Sequence, residues 1–172
     1  MLHSASLPFV IRREHGVVGT HEITSTREEL HGLLRLDGDR LLIQWRSTRE
    51  VSRVGREIRT DRDLAPIRDV AIPLAGIAGA HIRRVWRGWR RRDALVLTAA
   101  DLRAFEELTG NPDAPGLVLE HPAELLLELR PVDDAQARSF VSELSLALAE
   151  DVLRQLDVSD EPPRLSDGGS TD

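Results

Sequence analysis

The sequence predicts a mainly β (α+β) fold, an antiparallel bent barrel or two-sheet sandwich that is capped by one C-terminal amphipathic helix. Three patterns indicate it: a strong hairpin at residues 30–46, further short strand candidates at meander-like spacing, and a helical apolar stripe near the end. With 172 residues, the chain is long enough for one domain with a real core. We therefore expect a single domain over residues 1–156.

The composition excludes several kinds of chemistry. All 23 basic residues are Arg, because the chain contains no Lys, and Cys and Tyr are absent as well. Without Lys there is no Walker phosphate loop, kinase-type ATP lysine or Schiff-base enzyme. Without Cys there is no thiol nucleophile, disulfide or iron–sulfur cluster. The exclusive use of Arg is typical of a GC-rich bacterial gene.

No export signal or transmembrane segment is expected. The short apolar stretch near the start is followed by Arg12 and Arg13, whereas a secretory signal places its basic residues first. The most apolar stretch, residues 70–82, is interrupted by Pro73 and His81. We therefore expect a cytoplasmic protein.

The first hairpin is the clearest local signal. Two apolar runs flank Asp37-Gly38, a dipeptide suited to the positive φ angles of a tight turn. In the second arm, apolar side chains recur at every second position as far as Trp45, which predicts a half-buried strand. Weaker strand candidates follow at residues 54–60, 70–74, 77–86 and 94–98.

The second half of the chain predicts a short helix, another hairpin and a long helix. Residues 99–108 carry apolar side chains at three-residue spacing, and Gly110 follows them, which favours a short helix. Residues 116–121 and 124–130 predict two strands joined by a tight turn.

The closing helix is expected near residues 134–156. Asp133 and Gln136 form an acidic variant of the capping box at its start. Its apolar stripe repeats at helical spacing, so one face must pack on the sheet. The stripe consists of Ala137, Phe140, Val141, Leu144 and Leu148. Residues 157–172 are rich in Asp, Ser, Gly and Pro, which predicts a disordered acidic tail.

Three segments carry a likeness to a known fold: residues 29–42, residues 71–77 leading into a basic strand, and the closing helix. Over residues 17–156 the pattern resembles the pleckstrin-homology-like (PH-like) superfold and is similar to uncharacterised bacterial proteins of this type. The resemblance implies a non-catalytic docking platform for proteins or peptides, with no cofactor.

Two features depart from the eukaryotic members of that superfold. Phosphoinositide-binding members cluster Lys and Arg around the first hairpin loop, whereas this loop is Asp37-Gly38-Asp39 with Arg40 alone. The closing helix also lacks their Trp and carries Phe140 as its aromatic residue. The first departure argues against phosphoinositide binding.

One basic segment is the candidate ligand-binding site. Residues 81–92 hold six Arg and two of the three Trp in an otherwise acidic protein. Guanidinium groups bind phosphates and carboxylates, and indoles beside them stack on bases or anchor at lipid headgroups. The candidate residues are Arg83, Arg84, Arg87, Trp89, Arg90, Arg91 and Arg92.

A purely structural interpretation of this segment is the alternative. Trp86 shares a strand face with Ala80 and Ile82, which predicts that it belongs to the core. The arginines would then pair with acids of neighbouring strands or of the tail, and the tail would screen the segment by folding over it.

The sequence contains no recognisable catalytic or metal-binding spacing. No two of its six histidines stand four residues apart, and no Gly-x-Ser-x-Gly nucleophile elbow is present. Carboxylates that are adjacent in sequence diverge on strands and helices, so they do not form acid/base pairs. We expect no enzyme activity, no metal and no cofactor.

The sequence therefore predicts a binding module that docks a protein, a peptide or an anionic ligand. Nucleic-acid or anionic-lipid binding through residues 83–92 is one alternative, although the pI near 5.5 argues against nucleic acid. Structural homodimerisation through the sheet edges and the tryptophan-bearing rim of this segment is another, so a homo-oligomer is an open expectation.

Overall fold

Most of the chain forms one antiparallel sheet. The computed structural model describes residues 6–19, 23–55, 57–87, 89–111, 114–117, 119 and 121–159. Its strands are β1 (Ser6–Val18), β2 (Ile23–Asp37), β3 (Arg40–Val54), β4 (Ile58–Leu64), β5 (Arg68–Pro73), β6 (Ile77–Arg87), β7 (Arg90–Ala99), β8 (Gly110–Asn111), β9 (Ala114–Pro115) and β10 (Glu124–Glu128). One α-helix, α1 (Asp134–Ser159), follows the last strand.

The large sheet has the strand order β4-β3-β2-β1-β10-β7-β6. β4 and β5 both pair with β3, on the edge that faces away from β2. β4 pairs with residues 48–54 of β3, and β5 pairs with residues 40–45. β8 and β9 form a separate two-stranded ribbon. α1 packs on β6 and on the 3-10 turn Leu74–Gly76. A mainly antiparallel β fold with one C-terminal helix confirms the predicted class.

The predicted first hairpin is confirmed as β2–β3, and its strands are longer than the pattern indicated. Asp37 pairs with Arg40 across the turn formed by Gly38 and Asp39. Gly38 has a φ of 60°, and a positive φ confined to the first central residue is typical of a type II′ turn.

β1, which pairs with β2 along its whole length, was not among the predicted strands. Its second half is charged, so no half-buried alternation marks it as a strand.

The core lies on one face of the long strands, here called the inner face. Phe9 of β1, Gly32 of β2 and Trp45 of β3 stand side by side on it. α1 adds Phe140, which is 1% exposed and confirms the predicted docking stripe. The largest fully buried side chains are Trp45, Phe9, Phe105, Phe140, Leu7, Leu30, Leu34, Leu41, Ile43, Ile72, Leu95 and Leu97.

The halves of β1, β2 and β3 that lie far from the core, together with all of β4, extend away from it. We call residues 12–18, 23–29, 48–54 and 58–64 the four-stranded arm. Every residue of β4 is exposed, and the arm carries exposed apolar side chains near its end, such as Val18 at 80%. The strand pairing within the arm continues without a bulge, and cross-strand ion pairs such as Arg12–Glu29 at 2.7 Å reinforce it.

Two predictions in the middle of the chain are wrong. Residues 54–60 do not form one strand, because Val54 ends β3, a bend follows, and Ile58 begins β4 opposite Val54. The predicted helix over residues 99–108 is instead a series of turns and one 3-10 turn, Glu106–Leu108. Its three-residue spacing reflects that turn, which buries Leu108, whereas Leu102 is 62% exposed.

The predicted second hairpin is only partly correct. Residues 124–128 form β10, but the first arm has no strand among its described residues and contributes a single bridge from His121 to Glu124. Residues 118 and 120 of that arm lie outside the described residues.

The closing helix differs from its prediction at both ends. α1 continues to Ser159, so residues 157–159 of the predicted tail are helical, and residues 160–172 lie outside the described residues. The predicted capping box is wrong: the Asp133 carboxylate accepts hydrogen bonds from Arg130, and Gln136 donates one to the Ser6 carbonyl at 2.6 Å. The Gln136 side chain is thus committed to a tertiary contact, and the Asp133 side chain to a local ion pair with the residue three positions before it.

Candidate ligand-binding site

The arginine–tryptophan segment, residues 83–92, forms the end of the β6–β7 hairpin. Trp86 stands opposite Arg91, and Arg87 stands opposite Arg90 next to the turn that contains Trp89. β10 pairs with β7 only over residues 94–98, so the hairpin end projects past β10 as a two-stranded ribbon.

Both tryptophans of the segment are exposed. Trp89 is 99% exposed and Trp86 is 64% exposed, so the prediction that Trp86 belongs to the core is wrong. The physical reason is the projection of the hairpin, which carries Trp86 beyond the layer that buries Leu95 and Leu97 of β7. The Arg91 guanidinium lies over the Trp86 ring, 4.5 Å from its centroid, which is a cation–π contact.

The cross-strand register divides the candidate residues between the two faces of the ribbon. Paired residues of antiparallel strands share a face. One face carries Arg84, Trp86 and Arg91, and the other carries Arg83, Arg90 and Arg92. Arg87 pairs with Arg90, but its side chain lies outside the described part of the chain. The predicted residues are therefore brought to one hairpin end but not into one cluster.

Only part of the positive charge is neutralised locally. Arg83 lies 3.6 Å from Glu124, and Arg84 lies 3.3 Å from Asp93. These two pairs confirm the predicted pairing with acids of neighbouring strands. Within the described residues, by contrast, no carboxylate lies within 4 Å of the guanidinium groups of Arg90, Arg91 and Arg92. The hairpin end therefore keeps an excess of positive charge.

A groove of about 330 Å³ connects the ribbon with the start of α1. Its lining consists of Arg84, Arg91, Arg92, Asp93, Leu129, Arg130, Pro131 and Asp134. A second groove of about 430 Å³ lies beside it, lined by Ile82, Arg84, Asp93 and Arg138. Arg130 and Arg138 were not among the predicted site residues, because nothing in their local sequence shows that the chain brings them back to this hairpin.

Arg130 is the most firmly held of these basic groups. It donates hydrogen bonds of 2.7 and 3.3 Å to the Asp133 carboxylate. This contact raises the pKa of Arg130 above its ordinary value, so its charge is retained at any working pH. Arg138 is held in the same way by Asp134, at 3.0 Å.

The arrangement suits an elongated anionic ligand with some apolar character. Free guanidinium groups offer paired N–H donors to carboxylate or phosphate oxygens, and exposed indole rings offer flat apolar contact area. Among the described residues, no three His, Asp or Glu side chains are placed to hold a metal ion. In the same part of the chain, no helix is long and apolar enough to cross a membrane.

No family model, curated protein or solved structure matches this chain. By its fold, the chain belongs to the class of mainly antiparallel β proteins with one C-terminal helix. The end of its β6–β7 hairpin is basic and aromatic.

Proposed function

We propose that this chain is a non-catalytic, PH-like binding module that docks an acidic peptide segment of a partner protein on the arginine–tryptophan segment. The observation that carries the proposal is the projecting hairpin end, where Trp86 and Trp89 are exposed and three arginines have no carboxylate of the described residues within 4 Å. Exposed aromatic and Arg side chains are the types that dominate binding energy at protein interfaces.

The sheet architecture supports the PH-like part of the proposal. Because β4 and β5 share one side of β3, the sheet has seven strand positions, the number that the PH-like superfold uses. One C-terminal helix packs on the last strand of the sheet, β6. A shared architecture does not specify a function, which depends on the residues of the site.

The grooves favour an extended peptide over a compact ion. β6 is the last strand of the sheet order, and the larger groove places Arg84 of β6 near Arg138 of α1. An extended chain can add to a sheet edge through main-chain hydrogen bonds and direct alternate side chains into neighbouring pockets. Acidic side chains would reach the arginines, and apolar ones would pack on the indoles.

The non-catalytic part of the proposal is supported by how the carboxylates near the site are used. Asp93, Asp133 and Asp134 each lie within 3.3 Å of an arginine nitrogen. These carboxylates are therefore engaged in ion pairs with the chain's own arginines.

A fluorescein-labelled hexaglutamate peptide tests the proposal by fluorescence anisotropy. We expect saturable binding to the wild type, weakened at least about tenfold in R90Q/R91Q/R92Q, because this variant removes three positive charges that no carboxylate of the described residues neutralises. The matched control is R35Q/R40Q/R103Q, which removes the same charge elsewhere on the surface and is expected to bind like the wild type. Hexaglutamine should not bind.

Two rival probes complete the experiment. Oligothymidylate and phosphatidylglycerol vesicles represent the nucleic-acid and lipid alternatives, and nucleic-acid binding would fall steeply with salt. The proposal is overturned if hexaglutamate does not bind, if both triple variants weaken it equally, or if a rival probe alone binds in a manner that requires Arg90–Arg92.

A further inference from the structure

The outer face of the four-stranded arm, opposite the core, has an unusual order of side chains. The unbroken register places four residues, one from each of β1 to β4, in every row across the arm. The row nearest the end of the arm is apolar and β-branched: Val18, Ile23, Val54 and Ile58. These side chains are between 43% and 80% exposed, although nothing in a monomer requires four such residues side by side in water.

The next two rows differ in size and charge. The small row consists of Gly16, Ser25, Ser52 and Thr60, and the charged row of Glu14, Arg27, Glu50 and Arg62. In the small row, the Ser52 and Thr60 hydroxyls lie 3.3 Å apart. The charged row alternates in sign across the four strands, and Arg27 lies 3.8 Å from Glu14 within it.

This order is complementary to itself. A two-fold axis that runs parallel to the strands, between β2 and β3, sets each row of one copy over the same row of a second copy in reverse strand order. Glu14 then faces Arg62 and Arg27 faces Glu50, so all four contacts of the charged row join opposite charges. In the apolar row Val18 faces Ile58, and the small row permits the approach of about 10 Å at which sheets pack.

From this complementarity we propose that two copies of this chain associate face to face through the outer faces of their arms. The second copy is the occupant that fits, because its rows reproduce the reversed order of charge and size. The inner face differs in the row nearest its end, where Val17 would face Arg59 and Thr24 would face Arg53, although its charged row of Arg13, Glu28, Arg49 and Asp63 is also self-complementary.

The available area agrees with a reversible dimer. Four strands at about 4.8 Å spacing and the three complementary rows at about 7 Å give a flat area of about 400 Å². Stable interfaces begin at about 600 Å² per partner, so this face has the size of a weak, reversible contact. Self-association is therefore expected in the upper micromolar range rather than as an obligate dimer.

Paired charge variants test the proposal by sedimentation velocity of the full chain. E14R/E50R gives the charged row four positive charges, and R27E/R62E gives it four negative ones. Each variant alone is expected to self-associate at least about a hundredfold more weakly than the wild type, because like charges then face each other. An equimolar mixture of the two is expected to form a heterodimer, which also shows that both variants are folded.

Two further variants complete the design. R53E/R59E changes the charge by the same amount as R27E/R62E but lies on the inner face, and it is expected to dimerise like the wild type. Ile58→Asp alters an exposed side chain of the apolar row and is expected to weaken the dimer without touching the charged row.

A wild type that stays monomeric into the sub-millimolar range overturns the proposal. So does a mixture of the two charge variants that remains monomeric, or an R53E/R59E variant that loses dimerisation as fully as R27E/R62E. Since none of these residues belongs to the arginine–tryptophan segment, these outcomes are independent of hexaglutamate binding.

Discussion

Replacing Gly32 by alanine tests how the inner face is packed. The ring of the buried Phe9 lies directly over Gly32, where there is no side chain. A Cβ built at Gly32 overlaps Phe9 Cζ and Cε1 and comes within 2.7 Å of Cε2. Phe9 is 1% exposed and Trp45 flanks Gly32 on the other strand, so a displaced ring must move within the buried core and not into solvent.

The expected cost follows from the physics of overpacking. Forcing extra volume into a well-packed core costs about 1–3 kcal/mol, so Gly32→Ala should destabilise the protein by that amount. Phe9→Ala alone should cost about 3–5 kcal/mol, because it leaves a cavity. In the Phe9→Ala background the new methyl group occupies part of that cavity. The double variant should therefore be more stable than the sum of the single effects by about 1 kcal/mol or more.

Equilibrium urea unfolding, followed by the fluorescence of the buried Trp45, measures these free energies. Gly16→Ala is the matched control, because its Cβ would have no neighbour within 4 Å and no positive φ is involved; its effect should stay within about 0.5 kcal/mol. A similarly small effect of Gly32→Ala, or simple additivity with Phe9→Ala, would refute the packing argument.

Three further predictions concern other parts of the fold. Phe140→Ala should destabilise the protein by about 3–5 kcal/mol in the same urea assay, because α1 is anchored by that 1%-exposed ring. The hydrogen bond from Arg12 holds the pKa of Glu29 below its ordinary 4.5. That contribution to stability is full above pH 4.5 and is lost as the pH falls through the lower native value, so the urea stabilities of wild type and Arg12→Gln should converge in acid. Trp89→Phe should remove a red-shifted emission component that acrylamide quenches readily; a protected component would contradict the 99% exposure of Trp89.

Local patterns were sufficient for the elements whose side chains alternate or repeat against the core. The β2–β3 hairpin, the strands β5 to β7 and the docking stripe of α1 follow from them, since burial imposes a period of 2 or 3.6 residues on the sequence. The candidate site was also proposed from the sequence alone, because its composition is unusual: residues 81–92 contain six Arg and two Trp.

The tertiary structure decided the features that depend on partners distant in sequence. β1 is a strand because β2 pairs with it, and Gly32 is small because Phe9 lies over it. The alternation along β6 predicts a buried Trp86, but its side chain is exposed, because β6 and β7 continue beyond the end of β10. The groove with Arg130 forms where residues 129–134 come back to the β6–β7 hairpin. The rows of the arm depend on the register between four strands, so neither feature can be derived from one segment of the sequence.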